Sequence, residues 1–165
     1  MFRSSTALFA ALLLGWIGGS AFAGSHIRDF LNGPPVSIRG QYIGTSGLGV
    51  DPFVVQVYAG GGECLRLEVT RVNSGNLEMG VFTPDIEEHH YVDDNSGGGT
   101  FPRIIIDPTP VEGWYIVAVS EFVGAAVDID FDLSYGRYSS GNSVCQPVTL
   151  PSPASSPFTS PEEAS

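Results

Sequence analysis

The amino-acid sequence predicts an all-β protein in the form of a single antiparallel β-sandwich of about eight or nine strands. The clearest sign is the segment 127–135, where apolar and polar residues alternate without interruption. Successive side chains of a strand point to opposite faces, so this segment indicates a strand with one buried and one hydrated face. The predicted buried face carries Val127, Ile129, Phe131, Leu133 and Tyr135, and the hydrated face carries Asp128, Asp130, Asp132 and Ser134.

Segments of similar length and composition recur along the chain and are separated by turn residues. The clearest of the predicted strands lie at 36–42, 53–57, 65–69, 77–81, 101–106, 114–119 and 127–135. Clusters of Gly, Pro, Asn and Asp lie at 44–52, 60–62, 73–75 and 93–99. This spacing over about 110 residues, without a convincing helix, favours one sandwich over two domains.

Residues 1–23 have the features of a secretory signal peptide. Arg3 supplies a positive start, residues 7–17 an apolar core, and Ala21-Phe22-Ala23 a cleavage site. The apolar run is shorter than the ~20 residues that a helix needs to span a bilayer, which disfavours a membrane anchor. We therefore expect cleavage before Gly24 and a secreted protein, either periplasmic or extracellular.

Three regions are expected after cleavage. Residues 24–35 form an N-terminal lead segment, in which Asp29-Phe30-Leu31 can make one turn of helix before Pro34 ends it. Residues 36–146 form the β-sandwich domain. Residues 147–165 are rich in Pro and Ser and poor in apolar side chains, so this tail is predicted to be disordered.

The composition is acidic and contains no lysine. The formal charge of the whole chain is −11, and removal of residues 1–23 takes Arg3 away and makes it −12. Such a surface repels phosphate backbones and anionic lipid heads, so nucleic-acid and membrane partners are disfavoured. Cations and basic partners are favoured, although the charge also serves to keep a β-rich protein soluble.

Two cysteines, Cys64 and Cys145, remain in a chain destined for export. An even number of cysteines in an oxidising compartment predicts a disulfide, and one pairing is possible within the chain. The alternative, a catalytic or metal-bound thiolate, lacks a neighbouring His or a CxxC spacing.

The loop-strand-loop-strand unit from Tyr91 to Tyr135 resembles a known family. Asp93-Asp94 precede a Gly-rich loop, then Ile104-Ile106, then Gly113-Trp114-Tyr115-Ile116-Val117-Ala118-Val119. This order is similar to the bacterial pre-peptidase C-terminal domain, and segments 51–69 and 77–85 resemble its opening strands and central hairpin. The resemblance covers roughly residues 36–136. It implies a jelly-roll-like sandwich, usually a non-catalytic appendage of secreted enzymes concerned with secretion or with substrate or matrix binding.

The loop that begins at Asp93, Asp94 and Asn95 is a candidate Ca²⁺ site. These residues offer oxygen ligands on a backbone made flexible by the glycines at 97–99, which suits Ca²⁺ better than a transition metal. The alternative is an ordinary loop whose carboxylates accept hydrogen bonds from their own backbone. No other cofactor is predicted.

A second polar cluster, Glu87-Glu88-His89-His90, precedes this loop. If the segment is extended, alternation puts His89 and His90 on opposite faces, so they cannot both bind one metal ion. With two potential ligands on each face, a solvated polar edge is the favoured interpretation.

Trp114 is a candidate ligand-binding residue. If Tyr115 and Val117 face the core, alternation puts Trp114 on the outer face of the sheet. An exposed indole there is a platform on which a sugar or a peptide can stack. The alternative is packing against a partner strand, which the neighbouring Ile116 and Ala118 favour.

No catalytic motif accompanies these features, because the sequence lacks a G-x-S-x-G elbow, an H-E-x-x-H helix and a P-loop. An enzyme built from dispersed residues would leave no such motif, but a non-enzyme is favoured. We expect a secreted, non-catalytic binding or accessory module that recognises an extracellular protein or polysaccharide, with Ca²⁺ as an aid. The alternative is a structural or matrix-associated envelope protein without a discrete ligand site.

Overall fold

The structure, a computed structural model, describes residues 25–44, 50–85, 90–122 and 127–152. These residues form ten strands and one 3₁₀ turn, and none of them belongs to a helix long and apolar enough to cross a membrane. The strands are β1 (Ser25–Ile27), β2 (Val36–Gly44), β3 (Val50–Asp51), β4 (Phe53–Ala59), β5 (Glu63–Val72), β6 (Leu77–Phe82), β7 (His90–Asp93), β8 (Arg103–Ile106), β9 (Gly113–Glu121) and β10 (Asp128–Ser139). The predicted signal peptide and residues 153–165 lie outside the described residues.

The strands form two five-stranded sheets that pack face to face. The order in the first sheet is β1-β4-β9-β6-β7, and the order in the second sheet is β3-β2-β10-β5-β8. The pairs are antiparallel except for β1 with β4. Without the short β1 and β3, the sheets have the strand orders β4-β9-β6-β7 and β2-β10-β5-β8, which is the topology of a jelly roll. The predicted all-β sandwich is therefore confirmed.

The hydrophobic core lies between the two sheets and follows the alternation of each strand. Ile129, Phe131, Leu133 and Tyr135 of β10 are fully buried, as the pattern predicts. Val127 differs, because 42% of its surface is exposed. It precedes the first residue of β10, so the alternation that directs the following side chains inward does not yet apply to it.

The predicted disulfide between Cys64 and Cys145 is confirmed, with Cα atoms 6.4 Å apart. Cys64 lies on β5, and Cys145 ends the 3₁₀ turn Ser143–Cys145. The two cysteines form a small buried cluster with Ile105, against which Tyr138 packs. The bond therefore attaches the chain that follows β10 to the second sheet.

Both ends of the predicted domain are more ordered than the sequence indicates. Residues 25–27 form a strand that pairs in parallel with β4. In place of the turn of helix expected at 29–31, Gly33 N donates to Phe30 O (3.0 Å) and closes a tight turn. At the other end, Thr149 N donates to Ile105 O (2.8 Å) and Ser152 N to His90 O (3.0 Å). The first residues of the predicted tail therefore lie against the sandwich.

Candidate functional site

The outer faces of the two sheets differ in chemistry. On the second sheet, the outward side chains of the central strands are mostly charged or polar, and they include Arg39, Gln41, Arg66, Glu68, Asp130 and Asp132. On the first sheet, the outward side chains are mostly aromatic or aliphatic, and they include Val54, Tyr58, Phe82, Trp114 and Ile116. Contiguous apolar surface is a candidate for binding, so we place the candidate site on the first sheet.

Three rings on adjacent strands, His26 of β1, Tyr58 of β4 and Trp114 of β9, form what we call the aromatic cluster. Tyr58 and Trp114 lie directly opposite each other, with ring centroids 5.6 Å apart and ring planes at 72°. His26 packs edge-on against Trp114, with centroids 5.2 Å apart and planes at 84°. Edge-to-face contacts of this kind are favourable and restrain the rings.

Charged groups surround Tyr58. The guanidinium carbon of Arg28 lies 3.9 Å from the centre of the Tyr58 ring, and that of Arg137 lies 4.9 Å away. The Tyr58 hydroxyl donates a hydrogen bond to Glu112. This hydrogen bond, together with desolvation, raises the pKa of Tyr58 above its ordinary value. The cluster therefore combines apolar ring surface with a cation and a carboxylate at its margin.

Buried hydrogen bonds and an ion pair support the aromatic cluster on the side that faces the protein interior. Arg137 forms a two-point ion pair with Glu63, and its Nη1 donates to the carbonyl of Asp29 at 2.7 Å. The hydroxyl of Tyr135 donates to the carbonyl of Tyr58. These contacts join β4, β5 and β10. They restrain the backbone of β4 at Tyr58, from which the ring projects.

Trp114 is both exposed and packed against neighbouring strands, the two alternatives that the sequence left open. Its indole packs against His26 and Tyr58, yet 37% of the residue is exposed. Its outward direction follows from the buried Tyr115 and Val117 that flank Ile116. A ligand-binding role for Trp114 stays a prediction, and the geometry allows it.

Sequence reasoning missed His26, Tyr58 and Arg28 as members of the site. The alternation of β4, in which Val55 and Val57 point inward, places Tyr58 on the outer face, so a signal for it was present. No comparable signal existed for His26, because its position depends on the parallel pairing of a three-residue strand.

The predicted Ca²⁺ loop is built around Asp93. Its carboxylate accepts hydrogen bonds from Ser96 N (2.9 Å), from the Ser96 hydroxyl and from Arg103 N (2.8 Å). Both carboxylate oxygens therefore already cap the loop, and a cation would compete with these donors. A role of Asp93, Asp94 and Asn95 in Ca²⁺ binding stays a prediction.

In the part of the chain that the structure describes, the other potential metal ligands either stand apart or are blocked by the disulfide. Glu87, Glu88 and His89 lie outside the described residues, and the His90 ring stacks on Phe82 with centroids 6.2 Å apart. Cys64, Asp107 and Cys145 place ligand atoms within 4.8 Å of one another. The two sulfurs are joined in the disulfide, so neither is a thiolate that can bind a metal or act as a nucleophile.

Comparison with known proteins finds likeness of structure alone. No protein-family model matches the chain. No curated protein matches its sequence. Among solved structures, the chain is similar to the pre-peptidase C-terminal domain of a collagenase from Bacillus anthracis, with 12% identity and a TM-score of 0.48 over 69% of this chain and 93% of that chain.

Two further solved structures are similar to this chain. One is PliG from Aeromonas hydrophila, a periplasmic lysozyme inhibitor of g-type lysozyme, with 14% identity and a TM-score of 0.47 over 68% of this chain and 96% of that chain. The other is PliG from Salmonella Typhimurium, with 12% identity and a TM-score of 0.43 over 69% of this chain and 99% of that chain. These likenesses concern the β-sandwich fold, and the fold of the pre-peptidase C-terminal domain expected from the sequence recurs among them.

Proposed function

We propose that the protein is a secreted, non-catalytic binding module that recognises an extracellular protein or polysaccharide through the aromatic cluster. The observation that carries the proposal is the exposed indole of Trp114, held in place by His26 and Tyr58. Rings restrained before binding lose little conformational entropy when a ligand packs on them, which favours affinity.

The chemistry at the margin of the cluster suits a ligand that is partly apolar and partly polar. Arg28 offers guanidinium donors, Glu112 offers a carboxylate acceptor, and Trp114 offers apolar ring surface. An apolar centre with a hydrogen-bonding margin is the common composition of recognition surfaces. The apolar face of a sugar ring and the side chains of an extended peptide both fit this description.

Secretion is supported by the predicted signal peptide and by the disulfide between Cys64 and Cys145. Ca²⁺ belongs to the proposal only as an ion that would stiffen the loop after Asp93. This loop follows β7, at the opposite edge of the first sheet from β1. A bound ion there would therefore act on the stability of the domain and not on contacts of the aromatic cluster.

The competing function is that of a structural or matrix-associated envelope protein without a discrete ligand site. On the first sheet, assembly through the edges is disfavoured, because the described parts of its edge strands β1 and β7 have three and four residues. Short edge strands offer few unpaired backbone groups to a neighbouring chain.

The test is a binding screen with residues 24–165 against a glycan array and a panel of purified extracellular proteins, with Ca²⁺ and with a chelator. We expect a ligand whose affinity falls at least about tenfold in Trp114→Ala, which is the usual loss at a binding hot spot. Ile43→Ala is the control, since Ile43 is 50% exposed and lies on the second sheet. Absence of any ligand, together with concentration-dependent multimers, would support the structural alternative.

A further inference from the structure

The turn between β1 and β2 presents two apolar side chains to solvent. Phe30 is 84% exposed and Leu31 is 47% exposed. Neither residue packs in the core, and both follow Arg28, whose guanidinium lies on the ring of Tyr58. In the chain, the turn therefore directly follows a residue that contacts the aromatic cluster.

The exposed turn is held by hydrogen bonds on its C-terminal side. Asn32 N donates to Arg137 O (2.8 Å), Asn32 Nδ2 donates to Ser139 Oγ (2.9 Å), and Ser139 N donates to Asn32 Oδ1 (2.9 Å). The φ of Asn32 is 59°, a left-handed conformation that Asn tolerates better than most residues. Asn32 thus fixes the turn against the end of β10.

The N-terminal side of the turn is held as well. Asp29 is buried, its carbonyl accepts from Arg137 Nη1 (2.7 Å), and its carboxylate accepts from Phe30 N (2.7 Å). Gly33 N donates to Phe30 O at 3.0 Å and closes the turn. Phe30 therefore stands at the tip of a turn whose backbone is fixed at both ends.

We propose that this turn, residues 29–33, is a docking element that inserts Phe30 into an apolar pocket on a basic protein. The inference rests on the proposed binding function and names the class of partner. Exposed aromatic side chains on fixed backbone are typical anchors of protein interfaces, because ordering them costs little entropy.

The chemistry of the turn favours a protein over a polysaccharide. The side chains of Phe30 and Leu31 have no hydrogen-bonding atoms, so the hydroxyl groups of a sugar would lose bonds to water on this surface without gaining replacements. Apolar pockets that take such side chains are a feature of protein surfaces.

The charge of the chain favours a basic partner. The expected mature chain has a formal charge of −12, so long-range attraction steers the chain as a whole toward positively charged proteins. Arg28, two residues before Phe30, has the opposite sign, but its guanidinium lies over the Tyr58 ring, 3.9 Å from the ring centre. The negative net charge also repels anionic lipid heads, which disfavours insertion of Phe30 into a membrane.

The first experiment places a photoreactive phenylalanine analogue at position 30 of the full chain, expressed in the cell that secretes it. The same analogue at position 43 is the control, because Ile43 is exposed on the other sheet. We expect adducts with one basic protein from position 30 and none with that protein from position 43. Adducts with a second copy of this chain, with its own C-terminal residues, with glycan or with lipid would each overturn the proposal, as would the absence of adducts.

The second experiment measures the affinity of that purified protein. Phe30→Ala should weaken binding on the order of 30-fold, as expected for a hot spot, and Ile43→Ala should leave it unchanged. Phe30→Ala should also keep the melting temperature of the wild type, since the side chain is exposed. Asn32→Ala keeps Phe30 but removes the hydrogen bonds that hold the turn, so a loss of affinity is expected there too.

The two proposals fail in different ways. If Trp114→Ala abolishes binding of a ligand while Phe30→Ala leaves it unchanged, the docking turn is wrong and the proposed function stands. If neither substitution changes binding, both proposals are wrong.

Discussion

The guanidinium of Arg137 and the carboxylate of Glu63 form a two-point ion pair inside the protein, with Nε–Oε1 2.6 Å and Nη2–Oε2 3.0 Å. Each side chain is only 10% exposed. The same guanidinium donates to the carbonyl of Asp29 and lies near the ring of Tyr58. Arg137 therefore connects the core of the second sheet to the docking turn and to the aromatic cluster.

We predict that Arg137→Leu destabilises the protein by about 3–5 kcal/mol, because it leaves the Glu63 carboxylate buried without its partner. Urea unfolding measures the change. Arg71→Leu is the matched control, since Arg71 also contacts Asp132 through two nitrogens but is 54% exposed. Removing that surface pair should cost about 0–1 kcal/mol. Equal losses in the two variants would contradict the structural role assigned to Arg137.

A second prediction concerns alkaline pH. Burial raises the pKa of Tyr135 to about 12, whereas an unfolded tyrosine titrates near about 10. Between these values the unfolded chain has lost a proton that the native protein keeps, so the free energy of unfolding should fall as the pH rises. Below about pH 10 this contribution is fully present.

Tyr135→Phe tests the pH prediction by urea unfolding at several pH values. The variant should lose about 1 kcal/mol near neutral pH, because its hydrogen bond to the carbonyl of Tyr58 is gone. It should then lose stability less steeply than the wild type above about pH 10. Parallel curves for the two proteins would argue against a raised pKa.

A third prediction concerns the contact between Phe131 and Gly40, which face each other on β10 and β2. A Cβ atom added at Gly40 would lie 2.2 Å from the Phe131 ring, so Gly40→Ala should force the ring to move and cost about 1–3 kcal/mol.

Phe131→Ala should cost about 3–5 kcal/mol by leaving a cavity. Asp130→Asn, on the outer face, should change stability by less than about 0.5 kcal/mol. A comparable loss at Asp130 would show that the strand faces are reversed.

A fourth prediction is that the disulfide stabilises the fold. Its two cysteines are 81 positions apart, for which the loop-entropy relation gives roughly 4–5 kcal/mol as an upper value. The double variant Cys64→Ala/Cys145→Ala should therefore unfold at a lower urea concentration. Reductant should lower the melting temperature of the wild type and leave that of the double variant unchanged. An equal response of both proteins to reductant would contradict this role.

The fifth prediction separates the two interpretations of the acidic loop. Because the Asp93 carboxylate accepts three hydrogen bonds, Asp93→Ala should lower the melting temperature with or without Ca²⁺. Asp94→Ala is the control for the Ca²⁺ site. A bound ion at 100 times its Kd would add ~2.7 kcal/mol of stability. A rise in melting temperature with millimolar Ca²⁺ that Asp94→Ala abolishes would establish the ion as a ligand of this loop.

Much of the fold follows from local patterns. The alternation around Phe131 is enough to predict which side chains of β10 are buried, because a strand directs successive side chains to opposite faces. The same rule places Trp114 on the outer face opposite Tyr115. The disulfide followed from the number of cysteines and the predicted compartment.

The sequence by itself determined the fold class, the buried faces of the main strands, the disulfide and the outward direction of Trp114. Only the tertiary structure decided which residues meet Trp114, because register between distant strands depends on how the two sheets pack and close. Tyr58 arrives there through the pairing of β4 with β9, and His26 through the parallel addition of β1. The fixed turn that exposes Phe30 likewise depends on bonds from Asn32 and Asp29 to the distant β10, which no local pattern encodes.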